Sequence, residues 1–419
     1  MEEKRTPAIR FRRFRDQWRQ HRVGDIVSDI QRPASIKDEE LYQLVTVKRR
    51  NEGVVSRGLL KGKDILVKNY FEVREGDYIV SKRQVIHGGN GLVPKNLDKS
   101  VVSNEYMVVV SNDAISTRFW TLMSKRREMY KMFFLSSYGV DVEKMVFNVE
   151  DWKKRFLIIP ATSEQDQINE LHDQLDHLID LHQRKYEKLQ NLKSAMLEKM
   201  FPKDGADVPE IRFAGFKEPW EQQDTELFFN AVSSNSLSRS DLNYTEGEIK
   251  SIHYGDVLIN YGAVLDCRKD KIPFITGAKA TDFLDQLLQN GDILFADAAE
   301  DETVGKATEL SGIQDIQIVA GLHTLACRPK HKMKPYFLGY YLNSQSYHRQ
   351  LLPLMQGTKV LSISRSSIAK TTIKFPVSEK EQEQIGSILY CMDSQIVFQS
   401  SAIKKLKNIK EALLKQMFV

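Results

Sequence analysis

Short clusters of basic residues are the part of this sequence best suited to contact with a polyanion. Four of them lie in the first third of the chain, at 48–50, 82–83, 125–127 and 153–155. Lys and Arg neutralise phosphates, and Arg, Asn and Gln can form paired hydrogen bonds with base edges. The cluster at 82–84 is the most informative, because it directly follows a predicted strand and precedes the flexible loop Gly88–Gly91.

The second half of the chain offers fewer such residues. We take the segment 260–262 as the counterpart of 82–84, followed by the basic pair at 268–269 and by two cations after Gly357. A solvated surface produces the same clusters, so these positions are candidates for DNA contact. The candidates are Lys48, Arg49, Arg50, Lys82, Arg83, Gln84, Asn90, Asn260, Tyr261, Arg268, Lys269, Lys359 and Arg365.

Catalytic residues are not brought together by any motif of the sequence. A Gly-x-x-x-x-Gly-Lys-Ser/Thr loop for nucleotide phosphates is missing, and so is the Gly-x-Ser-x-Gly turn of a serine hydrolase. The Asn-Pro-Pro-Tyr box of an adenine methyltransferase is missing too. His172, His177 and His182 are five residues apart and point around a helix, so they predict no metal site. Acids and a lysine between 141 and 153 resemble a nuclease pattern only faintly.

Composition places the chain among globular proteins with a basic first third. Its 419 residues suggest two or three domains, and 41% hydrophobic residues suffice for packed cores. Residues 1–160 contain 31 Lys and Arg against 21 Asp and Glu, whereas residues 201–376 contain 19 against 22. No apolar run is long enough to span a membrane. The 3 scattered cysteines predict no disulfide framework and fit a reducing cytoplasm.

An internal repeat organises the whole chain. The segment 7–20 recurs at 209–222 with 7 identical residues in 14 positions, among them the pairs Ile9/Ile211 and Trp18/Trp220. A second block, 164–201, recurs at 381–418 with 14 identities in 38 positions. We call the first repeated segment the leader, the second repeated block the helix, and the stretch between them the body. The chain is therefore ordered as leader, body and helix, followed by the same three parts again.

The second repeated block predicts two long helices. Thr162–Gln165 and Ser378–Glu381 are typical of helix starts with a capping box. Apolar residues then recur every three or four positions, as in a coiled coil. Pro202 ends the first helix. The predicted seam consists of Ile168, Leu171, Leu175, Leu178, Leu189, Leu192, Met196, Ile385, Ile388, Met392, Leu406, Ile409 and Leu413.

The length of these helices suggests how they are used. A helix of about 38 residues measures roughly 57 Å, the length of roughly 17 base pairs. Neither helix can bury its apolar stripe alone. We therefore expect the two helices to pair antiparallel within the chain and to hold the two bodies apart. Dimerisation of two chains, or packing of each helix on its own domain, are the alternatives.

The two bodies, residues 28–160 and 230–376, share little beyond a few short similar segments. A Gly-Asp pair before apolar residues occurs at 76–77 and 255–256, and again at 291–292. Both bodies end on a strand-like run closed by Pro160 or Pro376. A repeated scaffold with divergent bodies favours two different recognition surfaces, while neutral drift after a duplication is the alternative.

These duplicated motifs resemble those of the specificity subunits of type I restriction-modification systems over nearly the full length. The resemblance is carried by the Pro-x-Ile-Arg-Phe leaders at 7–18 and 209–220 and by the Glu-Gln-x-x-Ile helix starts at 164–168 and 381–385. It also includes the helix end Lys-Ser-Ala-Met-Leu-Glu-Lys-Met-Phe-Pro at 193–202 and the segment 357–364. The ordered duplication is more specific than any single motif.

The resemblance implies an α+β fold with two target-recognition domains, joined by two long antiparallel helices in an intramolecular coiled coil. The domains would be 1–160 with its leader and 203–376 with its leader, and the spacer helices 161–202 and 377–419. Each domain would recognise one half of a bipartite double-stranded DNA target. The helices would set the gap between the halves.

The resemblance also implies that the chain itself is not an enzyme and binds no cofactor. Two modification subunits would use S-adenosylmethionine to methylate adenine, and restriction subunits would use ATP and Mg²⁺ to cleave DNA. A coiled-coil scaffold without DNA recognition, or a nuclease in its own right, are the alternatives that the residues leave open.

Overall fold

The computed structural model describes residues 6–66, 68–203 and 205–419. Two compact units make up the chain. The first contains the residues up to His182 together with Ala402–Val419, and the second contains Gln183–Ser401. Each unit therefore holds one predicted body, the first half of one long helix and the last half of the other.

The first unit is built on two sheets with strand orders β2-β10-β7-β8 and β3-β6-β9-β4-β5, and on two short pairs, β1-β13 and β11-β12. All four residues of β7 are buried, because this strand lies between two neighbours of its sheet. The strands are β1 (Arg19–Arg22), β2 (Val27–Asp29), β3 (Pro33–Ala34), β4 (Leu41–Lys48), β5 (Gly53–Lys61), β6 (Tyr70–Val73), β7 (Tyr78–Ser81), β8 (Asn90–Leu92), β9 (Ser100–Ser103), β10 (Tyr106–Ser111), β11 (Ser137–Tyr138), β12 (Val146–Phe147) and β13 (Phe156–Ile159).

Short helices cover these sheets and close the first core. Ser116 caps the second of them by accepting a hydrogen bond from the N–H of Phe119. Trp120 and Trp152 meet edge to face within the core, with ring centroids 5.6 Å apart. The helices are α1 (Val23–Ile26), α2 (Thr117–Met123), α3 (Arg127–Leu135), α4 (Val149–Lys153) and the long α5 (Thr162–Lys199), whose last residues belong to the second unit.

The second unit has sheets with strand orders β15-β24-β20-β22-β18 and β16-β19-β17-β23, and the short pairs β14-β26 and β21-β25. Its strands are β14 (Glu221–Asp224), β15 (Phe229–Val232), β16 (Leu242–Asn243), β17 (Lys250–Ile252), β18 (Val264–Asp266), β19 (Phe274–Ile275), β20 (Ile293–Ala296), β21 (Ala298–Ala299), β22 (Ala307–Ser311), β23 (Ile318–Ala320), β24 (Thr324–Pro329), β25 (Leu361–Ser362) and β26 (Thr372–Phe375). Its helices are α6 (Thr225–Phe228), α7 (Tyr254–Ile259), α8 (Phe337–Leu342), α9 (Gln345–Leu351), α10 (Arg365–Ile368) and the long α11 (Glu379–Gln416), which ends in the first unit.

Both bodies begin and end alike. The leader runs into an edge strand, β1 or β14, and this strand pairs antiparallel with the last strand of the same body, β13 or β26. Pro160 and Pro376 follow these last strands directly. The strand-like runs closed by proline are thereby confirmed.

The predicted similarity of the Gly-Asp pairs is confirmed for 76–77 and 291–292, and it is wrong for 255–256. Asp77 accepts a hydrogen bond from the N–H of Arg74 at 2.8 Å, and Asp292 accepts one from the N–H of Gln289 at 2.8 Å. Glycine precedes both acids with a positive φ, 85° and 89°, which glycine adopts without strain. Gly255–Asp256 instead lies in α7, because His253 caps a helix there.

Two findings concern the predicted location and the cysteines. In the part of the chain that the structure describes, no helix is long and apolar enough to cross a membrane. Cys267 and Cys327 are buried free thiols, and Cys391 is an exposed one. The cytoplasmic location stays a prediction.

Candidate nucleic-acid interface

In each unit the leader contacts the ends of both long helices through residues that recur in the repeat. We call this set of contacts the repeated frame. In the first unit, Nε and Nη2 of Arg10 each donate to one oxygen of the buried Glu164 carboxylate, both at 2.7 Å. The N–H of Ile9 donates to the carbonyl of Gln416 at 2.9 Å. The leader thus binds the start of α5 and the end of α11, and this ion pair raises the pKa of Arg10.

The second unit repeats this node with the two helices exchanged. Nε and Nη2 of Arg212 donate to the carboxylate oxygens of Glu381 at 2.7 and 2.8 Å. The N–H of Ile211 donates to the carbonyl of Lys199 at 2.9 Å. Because two-point Arg–carboxylate pairs fix orientation as well as distance, each helix end is held in one geometry.

A glutamine next to each glutamate ties the helix start to the body of the same unit. Nε2 of Gln165 donates to the carbonyl of Pro160, and Nε2 of Gln382 donates to that of Pro376, both at 2.9 Å. Their Oε1 atoms accept from the N–H groups of Ser116 and Lys334. The predicted capping boxes are wrong, since these glutamate and glutamine side chains reach the leader and the body.

The long helices have 38 residues each, as expected. Within the first unit, Lys410 of α11 forms an ion pair with Asp176 of α5. Within the second unit, Lys193 pairs with Asp393 at 2.5 Å. Together with the frame contacts, these pairs show that the two helix segments run antiparallel inside each unit. The repeat relates both pairs, because Asp176 corresponds to Asp393 and Lys193 to Lys410.

Three members of the predicted seam are exposed, and the other ten are buried or half-buried. Leu178, Leu192 and Ile409 are exposed, at 41%, 49% and 39%. Each lies one position before a residue of the buried row, because a straight helix drifts away from a strict seven-residue repeat. Lys193 and Lys410 occupy two of the seam positions instead, with aliphatic stems covered and ammonium groups paired. The remaining members are buried or half-buried, namely Ile168, Leu171, Leu175, Leu189, Met196, Ile385, Ile388, Met392, Leu406 and Leu413.

Several candidates of the first body come together at one cleft of about 650 Å³. Arg49, Arg50 and Asn90 line it, and Nε of Arg49 donates to Oε1 of Gln84 at 2.6 Å. Lys48 lies next to them at the end of β4, where it forms an exposed ion pair with Glu52 at 3.9 Å. The cleft also contains residues outside the candidate set, Lys125–Arg127, although their basic cluster was visible in the sequence.

Lys82 and Arg83 contact a different segment of the first unit. Nζ of Lys82 donates to the carbonyl of Asn104 at 2.9 Å, and Nε of Arg83 donates to the Glu105 carboxylate at 2.7 Å. Both contacts lie at the turn between β9 and β10. The side chain of Arg83 is 67% exposed, so it remains available for phosphate contact.

The equivalence between 82–84 and 260–262 is wrong. Strand β20 corresponds to β7, and it is followed by Asp297 and Ala298, which bear no positive charge. Tyr261 is a core residue whose hydroxyl donates to the carbonyl of Lys271, so it offers nothing to a surface ligand. Asn260 is exposed at the end of α7, where its amide donates to Asp256 at 2.8 Å.

The basic pair of the second body is engaged with a buried acid. Nε of Arg268 lies 3.0 Å from one oxygen of Asp266, and Nζ of Lys269 lies 3.0 Å from the other. These hydrogen bonds hold the pKa of Asp266 well below its usual range. Tyr390 on α11 donates to the same carboxylate at 3.3 Å, so the pair sits beside the long helix.

The last two candidates differ in accessibility. Lys359 is exposed in the loop before β25. Arg365 donates to the carbonyls of Ala326 and Val232, at 2.9 and 3.3 Å, and so holds β15 and β24 beside α10. Arg365 is therefore corrected to a structural residue, because its guanidinium is used within the unit.

Comparison with known proteins adds independent findings. The family model for the type I restriction modification DNA specificity domain matches residues 243–408. The type I restriction enzyme MjaVIII specificity subunit of Methanocaldococcus jannaschii is 22% identical over 420 residues, covering 96% of this chain and 92% of the relative. A putative MjaX specificity subunit from the same organism is 29% identical over 153 residues, 35% of each chain.

A solved structure shares the fold along the whole chain. The S subunit of a type I restriction-modification system from M. genitalium covers 99% of both chains with a TM-score of 0.56 and 13% sequence identity. The predicted fold class, α+β with two domains and two long helices, is confirmed. The matches also confirm the resemblance that the duplicated motifs indicated.

Proposed function

We infer that this chain belongs to the specificity subunits of type I restriction-modification systems and determines which DNA sequence the complex acts on. The matched specificity domain and a specificity subunit that aligns along 96% of the chain support this conclusion. The chain is the non-catalytic subunit of such a complex.

One observation carries the proposed mechanism. The repeated frame is built twice from equivalent residues, Arg10 with Glu164 and Arg212 with Glu381, while the bodies that it supports have different sheets. Equal frames suit two identical partners, and unequal bodies suit two different DNA sequences. Each unit thus recognises one half of a bipartite target in double-stranded DNA, and the helices set the gap.

The partners follow from this division of roles. Two modification subunits bind the two frames and methylate adenine with S-adenosylmethionine, after the base has left the helix stack. Restriction subunits join them and use ATP and Mg²⁺ for cleavage. No cofactor is assigned to this chain in the proposal.

Mapping of methylated adenines tests the function directly. The chain is co-expressed with the modification subunit of its system, and the methylated adenines of the host genome are sequenced. The expected result is a split motif with two unlike halves around a fixed unspecified gap. A two-fold symmetric motif would contradict recognition by both units. Absence of both methylation and DNA binding by the assembled complex would contradict the function and favour a scaffold.

Insertion into the long helices tests the proposal that their length sets the gap between the two half-sites. Four residues added to α5 at 183, together with four added to α11 at the junction before Ala402, lengthen both helices by about 6 Å. We expect the same two half-sites with a gap longer by about two base pairs, measured by the same mapping. An unchanged gap in a complex that still methylates would show that helix length does not set the gap.

A further inference from the structure

The basic cleft of the first unit is formed by two chain segments that are distant in sequence. One is the tip of the β4–β5 hairpin with Arg49 and Arg50, and the other is the junction between α2 and α3, Lys125–Arg127. The loop 85–88 forms the floor between them. A volume of about 650 Å³ is ample for one nucleotide unit of a DNA strand.

The hairpin tip is held in an uncommon backbone conformation. Arg50 and Asn51 have φ values of 61° and 56°, which side-chain-bearing residues seldom adopt. The N–H of Arg50 donates to the carbonyl of His87 at 2.7 Å, and that of Asn51 donates to Gly88 at 2.9 Å. These bonds fix the tip on the loop 85–88 and present its two arginines at the cleft. Backbone strain of this kind is common where a ligand is bound.

The cations of the cleft are only partly neutralised. Arg49 lies 3.7 Å from Glu143, and Arg126 is paired with Glu128 at 3.1 Å. Arg50 and Arg127 form no ion pair within residues 6–66, 68–203 and 205–419. The cleft thus keeps a net positive charge, for which an anionic ligand is the natural complement.

A buried amide provides an independent indication of a ligand. Asn90 lines the cleft and is 3% exposed, and its Nδ2 atom has no acceptor among the described residues. Oδ1 of Asn51, also at the cleft, has no donor there. Buried polar atoms without partners are rare in native structures. A nucleic acid strand supplies both kinds of partner, phosphate oxygens for the amide and base amino groups for the carbonyl.

We propose that this cleft binds one strand of the DNA duplex through a backbone phosphate and the base next to it. The proposal rests on the function inferred above and assigns the phosphate to Arg50, Arg127 and Asn90. The corresponding cleft of the second unit, between the loop 301–306 and the α8–α9 junction, contains Asp301 and Glu302. Lys306 lines that cleft as well, but no arginine does, so the proposal concerns the first unit.

The salt dependence of DNA binding tests the proposal. The full chain is assembled with its modification subunit, and its affinity for a duplex carrying the mapped motif is measured by fluorescence anisotropy between 50 and 300 mM NaCl. Each lost phosphate contact lowers the slope of log K against log salt by about 0.9. We expect a decrease of about 0.9 for Arg127→Gln, and of about 1.8 when Arg50→Asn is added, since Asn tolerates the left-handed backbone.

Lys131→Gln is the matched control, because Lys131 lies one turn further along α3 and lines a different cavity. It should leave the slope unchanged. Asn90→Asp places a carboxylate in the cleft and should weaken binding at least tenfold at 50 mM NaCl. If the double variant keeps the wild-type slope and Asn90→Asp binds normally, the proposal is overturned while the function stands. If the unmodified complex fails to bind the duplex, the function itself fails.

Discussion

The two units share a frame and differ in the cleft that corresponds between them. In the first unit the cleft between the loop after β7 and the α2–α3 junction is lined by Arg49, Arg50 and Lys125–Arg127. In the second unit the cleft between the loop 301–306 and the α8–α9 junction contains Asp301 and Glu302 together with a single lysine, Lys306. The residues of the frame recur in both units, whereas the two clefts differ even in charge. This contrast is what the proposed function expects, with equal frames for two identical partners and unequal surfaces for two DNA half-sites.

The two units differ in one hydrogen bond of the frame and at one buried position on the long helices. Nε1 of Trp220 donates to Glu381 at 3.4 Å, whereas Nε1 of Trp18 has no acceptor among the described residues. Position 172 of α5 is a buried His, and its repeat counterpart on α11 is the buried Leu389. These differences make the first unit the less well satisfied of the two.

The largest effect is expected from breaking either frame. Glu164→Ala and Glu381→Ala each leave a largely buried arginine without its partner, which costs about 3 kcal/mol of unfolding free energy in the affected unit. Glu381→Ala should cost more, because Trp220 then loses its acceptor as well. Hydrogen exchange of peptides from each unit of the full chain measures the two losses separately.

Glu411→Ala provides the control for these variants. Glu411 forms an exposed ion pair with Lys415 on the same helix, and such pairs contribute about 0.5 kcal/mol or less. Equal, small losses for Glu164→Ala and this control would show that the frame is not a structural node.

An intermediate effect is expected from the buried histidine. Burial, reinforced by the charge of Lys410, lowers the pKa of His172 to about 4, while Asp176 acts in the opposite direction. Both ring nitrogens lack partners among the described residues. Because the unfolded chain takes up the proton first, the stability of the first unit is complete above the ordinary pKa of about 6.5 and falls as the pH drops towards 4.

His172→Leu installs the residue found in the second unit and should remove this pH dependence. We expect the variant to be more stable than wild type by about 2 kcal/mol at pH 5, with a smaller gain at pH 7.5. Thermal unfolding at both pH values measures the difference. The same pH profile in variant and wild type would show that His172 is not the titrating group. Leu389→Met is a volume-conserving control in the second unit and should leave the profile unchanged.

The smallest effect is expected from the acidic cleft. Asp301→Asn together with Glu302→Gln removes two negative charges from the second unit, and DNA affinity at 50 mM NaCl should rise by about two- to fivefold. The gain should vanish at 300 mM NaCl, because salt screens exposed charges. Asp285→Asn, an exposed acid elsewhere in the unit, should have a weaker effect. Equal gains from both changes would mean that the cleft is no closer to DNA than the rest of the surface.

Much of the architecture could be predicted from repeated residues. Arg10/Arg212 and Glu164/Glu381 were recognisable as repeated positions, but only the structure showed that each arginine pairs with the glutamate of its own unit. The 38-residue helices followed from periodicity and from Pro202. The seam was off by one position at Leu178, Leu192 and Ile409. After Leu192 and Ile409 the seam site is a paired lysine, which a hydrophobic pattern does not identify.

The basic cleft of the first unit could be predicted only in part. The basic clusters were visible in the sequence. The sequence did not show that the tip of a hairpin brings Arg50 to the same cleft as Arg127. Nor could the sequence distinguish Arg365, whose guanidinium binds carbonyls of neighbouring strands, from an arginine that faces solvent. Tyr261 was placed on a loop because its Gly-Asp pair was matched with the wrong strand.

The sequence by itself determined the duplication, the two long helices and the resemblance to a known family, because frame contacts and helix periodicity depend on residues that recur at fixed spacing. The tertiary structure decided which cations share a cleft and which are used within the fold. The physical reason is that a cleft depends on the path of the chain through turns such as Arg50–Asn51, where hydrogen bonds from distant loops select the backbone conformation.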